Sequence, residues 1–181
     1  SDANAGCSIY MGLINNFVSS YCTTPGRYGD GTENSQADCK KCAAGRYAPN
    51  WITGATSGGI CTAECVAGRW SSIEGAISET VCSDECSKGK WSNETALSAD
   101  SQCKLCPAGK WSIATGYTSP IQCERCSTGR FGTKSGRTSD DDCEGRCSRG
   151  RYGASTGLVN NMECSICPSG TFTDTEGAVE C

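Results

Sequence analysis

CPAGKWSIATGYTSPIQC runs from Cys106 to Cys123. The same frame returns as CSTGRFGTKSGRTSDDDC from Cys126 to Cys143 and as CSRGRYGASTGLVNNMEC from Cys147 to Cys164. Two cysteines, an early glycine, a cation, an aromatic and a later glycine hold their places while the residues between them change. Working outward in both directions, eight copies can be cut: residues 22–41, 42–64, 65–85, 86–105, 106–125, 126–146, 147–166 and 167–181. Residues 1–21 stand apart as an N-terminal segment. The frame is C-x2-G-[RK]-[YWF]-x4-G-x6-C, with a period of 20 to 23 residues. The first copy has one extra residue before its glycine, the second has two more in its turn, and the last is three shorter. Self-similarity at such a period marks a repeat architecture.

The chain has 17 cysteines in 181 residues and no histidine. Thiols are kept reduced in the cytosol, so this density points to disulfides in an oxidising compartment or to metal. Metal is the weaker reading, because a zinc ribbon needs two CxxC pairs converging on one ion and here the pairs are spread evenly. No cofactor is expected. A net charge of -4 argues against nucleic acid, whose binding rests on a basic surface. No stretch approaches the roughly 18 apolar residues of a membrane span. The opening SDANAGCS reads like a mature end left by signal cleavage, which makes the expected location extracellular or cell-surface, by the secretory pathway.

The content of one copy follows from its fixed positions. Gly26, Gly45, Gly68, Gly89, Gly109, Gly129, Gly150 and Gly170 stand after the entry cysteine, where a positive φ or a close backbone approach is expected. A short extended run follows, then a second glycine at Gly54, Gly75, Gly116, Gly136, Gly157 and Gly177, with Ala96 in that place in the fourth copy. Two short strands joined at this glycine turn read as a stapled hairpin, marginal alone and stable when stacked. The aromatic position holds Tyr28, Tyr47, Trp70, Trp91, Trp111, Phe131, Tyr152 and Phe172. Strand neighbours point to opposite faces, so Arg27, Arg46, Arg69, Lys90, Lys110, Arg130 and Arg151 are expected to face water. Each ring is read as packing on a disulfide, in preference to a ladder of rings and cations that grips glycan or polyanion. The expected fold class is small and disulfide-rich: an elongated, solenoid-like array of about eight short β-hairpin modules with a short N-terminal helix.

If each copy closes on itself, the bonds are Cys22–Cys39, Cys42–Cys61, Cys65–Cys82, Cys86–Cys103, Cys106–Cys123, Cys126–Cys143, Cys147–Cys164 and Cys167–Cys181, leaving Cys7 unpaired or intermolecular. Sequence alone leaves connectivity open, and bonds within the close pairs, of the Cys39–Cys42 type, are the alternative. Cys7 lies in CSIYMGLINNFVSSYC, the most apolar part of the chain. Tyr10, Leu13, Ile14, Phe17 and Tyr21 recur at helical steps, and Ile9, Met11 and Val18 widen the face. This segment is read either as a cap on the first copy or as an assembly element that inserts into another subunit. An odd cysteine beside an apolar face favours assembly.

The entry motifs CPAGKWS, CAAGRYA and CSRGRYG, each with a closing cysteine about 17 residues on, resemble the ephrin-receptor-like (GCC2/GCC3) repeat. They are also similar to the first half-module of tumour necrosis factor receptor repeats. The resemblance covers Cys22 to Cys181 and implies small hairpin-like units whose entry cysteine bonds the closing one. The second half-module of the receptor pattern is missing, which removes the ground for expecting cytokine binding.

No enzyme can be assembled from these residues, since without histidine the usual general base near neutral pH is absent. Asp140, Asp141 and Asp142 lack the spacing and glycine of a calcium loop and read as a solvated turn. Asn93, in Asn93-Glu94-Thr95, is the expected glycosylation site, and the Ser- and Thr-rich loops are further places for covalent glycans. The sequence thus predicts a structural protein, a self-associating subunit of a filament, coat or appendage. The rival is a receptor or adhesion ectodomain that binds a protein or glycan through its loops, and a metal-loaded surface protein is a weaker third.

Overall fold

In a computed structural model, the described residues are 21–30, 32–48 and 57–181. The expected N-terminal helix, together with Cys7, Ile9, Tyr10, Leu13, Ile14, Phe17 and Val18, lies outside them, as does Gly54. Among the described residues the fold is small and disulfide-rich, with eight consecutive disulfides and seven two-stranded antiparallel hairpins. The chain divides into two compact units. One takes residues up to Cys65 with Trp70–Asp84 and Ala96–Ser98, and the other takes Val66–Arg69, Glu85–Thr95 and Ala99–Cys181. The division runs through copies and not between them, because the turn of one copy packs with the copy before it.

Each disulfide joins the entry cysteine of a copy to its closing cysteine: 22–39, 42–61, 65–82, 86–103, 106–123, 126–143, 147–164 and 167–181. Nine of the sixteen bonded cysteines are among the fully buried side chains, so sulfur occupies the place of an aliphatic core. With so little hydrocarbon to bury, closing a 17-residue loop, worth roughly 3 kcal/mol of unfolded-chain entropy, substitutes for core volume.

The hairpins differ from the expected ones in a definite way. The aromatic strand does not pair across the glycine turn. It pairs with the two residues that follow the closing cysteine: Arg46–Tyr47 with Ala63–Glu64, Lys90–Trp91 with Lys104–Leu105, Arg151–Tyr152 with Ser165–Ile166. The N–H of the next entry cysteine then closes the hairpin on the entry glycine, as in Cys106 to Gly89 at 2.8 Å. The physical reason lies in the disulfide, which draws the closing cysteine back beside the entry cysteine and lays the following dipeptide along the aromatic strand. The loop between holds the glycine turn and, in six copies, a single 3-10 turn before the closing cysteine, such as Asp140–Asp142.

The turn is committed elsewhere. Within the first unit, Gly75 N–H bonds Cys42 C=O, and Ala96 N–H bonds Cys65 C=O. Within the second, Gly116, Gly136, Gly157 and Gly177 N–H groups bond the carbonyls of Cys86, Cys106, Cys126 and Cys147. Each donor belongs to the copy after its acceptor. A second bond runs from the residue after the aromatic to the residue after the turn glycine, as in Ser112 N–H to Arg137 C=O at 3.0 Å. Joints between copies are therefore made of backbone, and the side chains between the fixed positions are free to differ. The turn needs a left-handed residue: Gly157 has φ 78°, and Ala96 adopts φ 57° in its place.

Candidate functional site

The repeated joint is the feature that recurs most exactly, and three side-chain positions serve it. The first is the ring. Tyr28 of copy 1 packs against Cys42, Cys61 and Ala48 of copy 2, and Phe131 of copy 6 packs against Cys147, Cys164 and Leu158 of copy 7. A ring thus covers the disulfide of the following copy, which refines the expectation that it sits on a disulfide. The second is the residue after the ring, where Ala48, Ser71, Ser92 and Ser112 are almost wholly buried. A Cβ on Gly153, which holds that place in copy 7, would run into the backbone of Gly129 and the sulfur of Cys147. Only small residues fit. The third is the residue after the turn glycine, where Ala76, Leu97 and Leu158 are buried.

The cations do not simply face water. Lys90 and Arg130 each keep 24% of their side-chain surface exposed, and they turn onto the closing loop of their own copy. Lys90 Nζ meets Asp100, Lys110 Nζ donates to Pro120 C=O, and Arg151 donates to Cys164 C=O at 2.8 Å. Arg46 and Arg69 pair instead with the cross-strand Glu64 and Glu85. Closing-loop carbonyls supply the acceptors for Lys110 and Arg151, and carboxylates those for Arg46, Arg69 and Lys90. The indole N–H groups are likewise engaged within the copy: Trp91 donates to Leu105 C=O at 3.2 Å and Trp111 to Arg125 C=O at 3.3 Å. Lys104 Nζ lies 5.3 Å from the centre of the Trp91 ring. The cations are thus committed to the module's own framework, and the rings to the joint with the following copy.

A further class of residue escaped the sequence reading. Three positions before the closing cysteine, Asp100, Asp140 and Asn161 accept the N–H of the residue after the entry cysteine, at 2.8, 2.8 and 2.9 Å. One position before it, Gln102, Gln122 and Asp142 accept the N–H that opens the closing turn. The hydrogen bond from Thr138 N–H, with that from its hydroxyl, holds the Asp142 carboxyl below the usual range. At Asp100 burial acts the other way, but hydrogen bonds from Lys90 and Ser87 outweigh it and its pKa is also lowered. Aligning the copies on their closing cysteines exposes this signal, since the polar acceptors then fall in columns. Asp140, Asp141 and Asp142 accordingly build a turn. Among the described residues no group of three or more acidic, cysteine or histidine side chains is placed to hold a metal ion.

Asn93 is exposed and accepts a hydrogen bond from Lys104 Nζ at 3.2 Å. Tyr21, the one assembly candidate among the described residues, is 47% exposed. Among the described residues no helix is long and apolar enough to cross a membrane. No protein-family model matches the chain, and no curated protein does.

Proposed function

We propose that this chain is an extracellular structural protein, a subunit of a cell-surface filament, coat or appendage whose repeats form an elongated array. The observation that supports this reading is the joint itself: copies are held to one another by backbone hydrogen bonds and closed within by disulfides, while the residues between drift. A ligand-binding face would instead be expected to hold particular side chains in place, and here the cations are occupied within their modules and the rings at the joints between copies. The resemblance to ephrin-receptor-like repeats accords with such a module and carries no ligand with it. Self-association is assigned to residues 1–21, with Cys7 available for a bond between chains, and Asn93 is proposed to carry glycan. The chain has no proposed catalytic role. Electron microscopy of the purified secreted protein tests the reading: fibres or sheets are expected, and isolated single particles at every concentration would favour the receptor or adhesion alternative.

A further inference from the structure

The C-terminal copy is an unfilled joint. In every joint described above, the entry-cysteine carbonyl accepts from the next turn, and the residue after the ring donates to it. In copy 8 the equivalents are Cys167 C=O and Thr173 N–H, and neither has a hydrogen-bond partner among the described residues. Phe172, in the ring position, is 70% exposed. A Cβ on Gly170 would meet nothing within 4 Å. On Gly129, by contrast, it would collide with the carbonyl of Gly177, the turn glycine two copies on. Gly150 also lacks that neighbour and faces only the Phe172 ring. The backbone groups, the ring and Gly150 mark the place where the next turn would sit, and Gly170 faces the place of the turn beyond it.

The N-terminal segment contains such a turn. GLINNFVSSYC, residues 12–22, aligns with GLVNNMECSIC, residues 157–167, with identity at six of eleven positions. In copy 7 this stretch is the part that fills the copy before it. Gly157 N–H bonds Cys126 C=O at 2.8 Å, Leu158 is 8% exposed beside Phe131, and Val159 lies against Gly109. Residues 12–22 hold the same Gly-Leu-aliphatic sequence without the front half of a copy to go with it. The first full copy is not an equivalent plug. Thr32 stands at its turn position, and Glu33, 8% exposed, turns its carboxylate onto the N–H of Asp30.

We infer that residues 12–14 of one chain seat on copy 8 of a second copy of this chain. Gly12 N–H donates to Cys167 C=O, Thr173 N–H donates to Leu13 C=O, and Phe172 covers Leu13. Ile14 then reaches Gly150 as Val159 reaches Gly109. The contact is head-to-tail and heterologous, so it propagates unless it closes a ring. This inference rests on the structural reading above and names the two surfaces that would join.

The test uses the full chain, with Leu13→Asp altering the plug and Phe172→Asp altering the exposed socket. Sedimentation should show concentration-dependent growth for the parent and at least tenfold weaker association for either variant alone. Mixed in equal amounts, the variants keep one intact plug and one intact socket between them, so they should form dimers and nothing larger. Deleting residues 1–21 should behave as Leu13→Asp does, and it too should dimerise with Phe172→Asp, which guards against misfolding of a single substitution. Dimers of the deletion variant alone would mean that tails pair with each other, and would overturn the inference. So would variants that assemble like the parent, or a mixture that stays monomeric. Fibres surviving in both variants would leave the filament reading in place while removing this joint; a parent that never associates would remove both.

Discussion

Phe131 and Phe172 hold the same position in copies 6 and 8 and meet different surroundings. Phe131 is half-buried against the Cys147–Cys164 disulfide and Leu158, whereas Phe172 is 70% exposed. Arg130–Phe131 forms a strand with Gly145–Arg146, while Thr171–Phe172 forms none. Gly129 touches the turn of copy 8, and Gly170 touches nothing. Both copies carry the entry glycine, the ring, the turn glycine and an entry-to-closing disulfide, although the loop of copy 8 is three residues shorter. A copy acquires its ordered strand and its covered ring from the residues and the copy that come after it. The folding unit is the joint, and the repeat as cut from the sequence is half of two such units.

The largest test of that contrast changes the two glycines. Gly129→Ala is expected to destabilise the protein by about 3 kcal/mol or more, since it adds a left-handed alanine, costing roughly 1–2 kcal/mol, to a collision with the Gly177 backbone. Gly170→Ala, at φ 91° with open space around it, should cost about 1 kcal/mol. Denaturant unfolding with disulfides intact measures both, and equal losses would break the distinction. A smaller effect is expected at the rings. Phe131→Ala should cost about 2 kcal/mol through lost packing on the next disulfide, and Phe172→Ala under about 0.5 kcal/mol in the dissociated chain. A large loss at Phe172 in dilute solution would show that copy 8 is finished within one molecule.

The smallest effect concerns acid. Hydrogen bonds lower the pKa values of Asp100 and Asp142 in the closing turns of copies 4 and 6. A depressed folded-state pKa contributes stability that is present above the unfolded value, near 3.9, and is lost as pH falls through the folded value. Acidification from about pH 5 to below pH 4 should therefore lower the unfolding midpoint modestly. Asp100→Asn with Asp142→Asn should flatten that slope. Hydrogen exchange resolved by copy would show the loosening in copies 4 and 6, and in copy 1, where hydrogen bonds also lower the pKa values of Asp30 and Asp38.

Much of the module was legible in the sequence. The cysteine frame located every copy, and the entry glycines, such as Gly45 and Gly109, do adopt positive φ. What was not legible is which copy each residue touches. In a tandem array, a contact within one copy and the same contact made to its neighbour leave identical patterns in the sequence. Trp91 and Phe131 could be assigned a disulfide, but not whose. The strand partner was misplaced for a related reason: glycine turns usually mark hairpins, and here Gly136 turns the chain toward the preceding copy while Glu124–Arg125 supplies the strand for Lys110–Trp111. The small residues Ser71, Ser92, Ser112, Gly132 and Gly153 were in view throughout. Their size becomes informative once the copies are aligned on the ring beside them. At residues 12–22, helical spacing and repeat alignment give competing readings of the same apolar side chains.

The position of the disulfides also determines how tension travels through the chain. Each bond joins the first and last residues of a loop, 17 apart in copies 3 to 7. A pull applied along the backbone enters a copy at one cysteine and leaves through sulfur to the other. The residues between them lie off the load path, and only the two or three residues linking one copy to the next carry the force as peptide. At about 3.4 Å per residue, a copy torn from its neighbours yields on the order of 10 Å of slack, where the reduced loop would release several times as much. Such a chain gives little when stretched, keeps its loops folded under load, and becomes extensible only in a reducing medium.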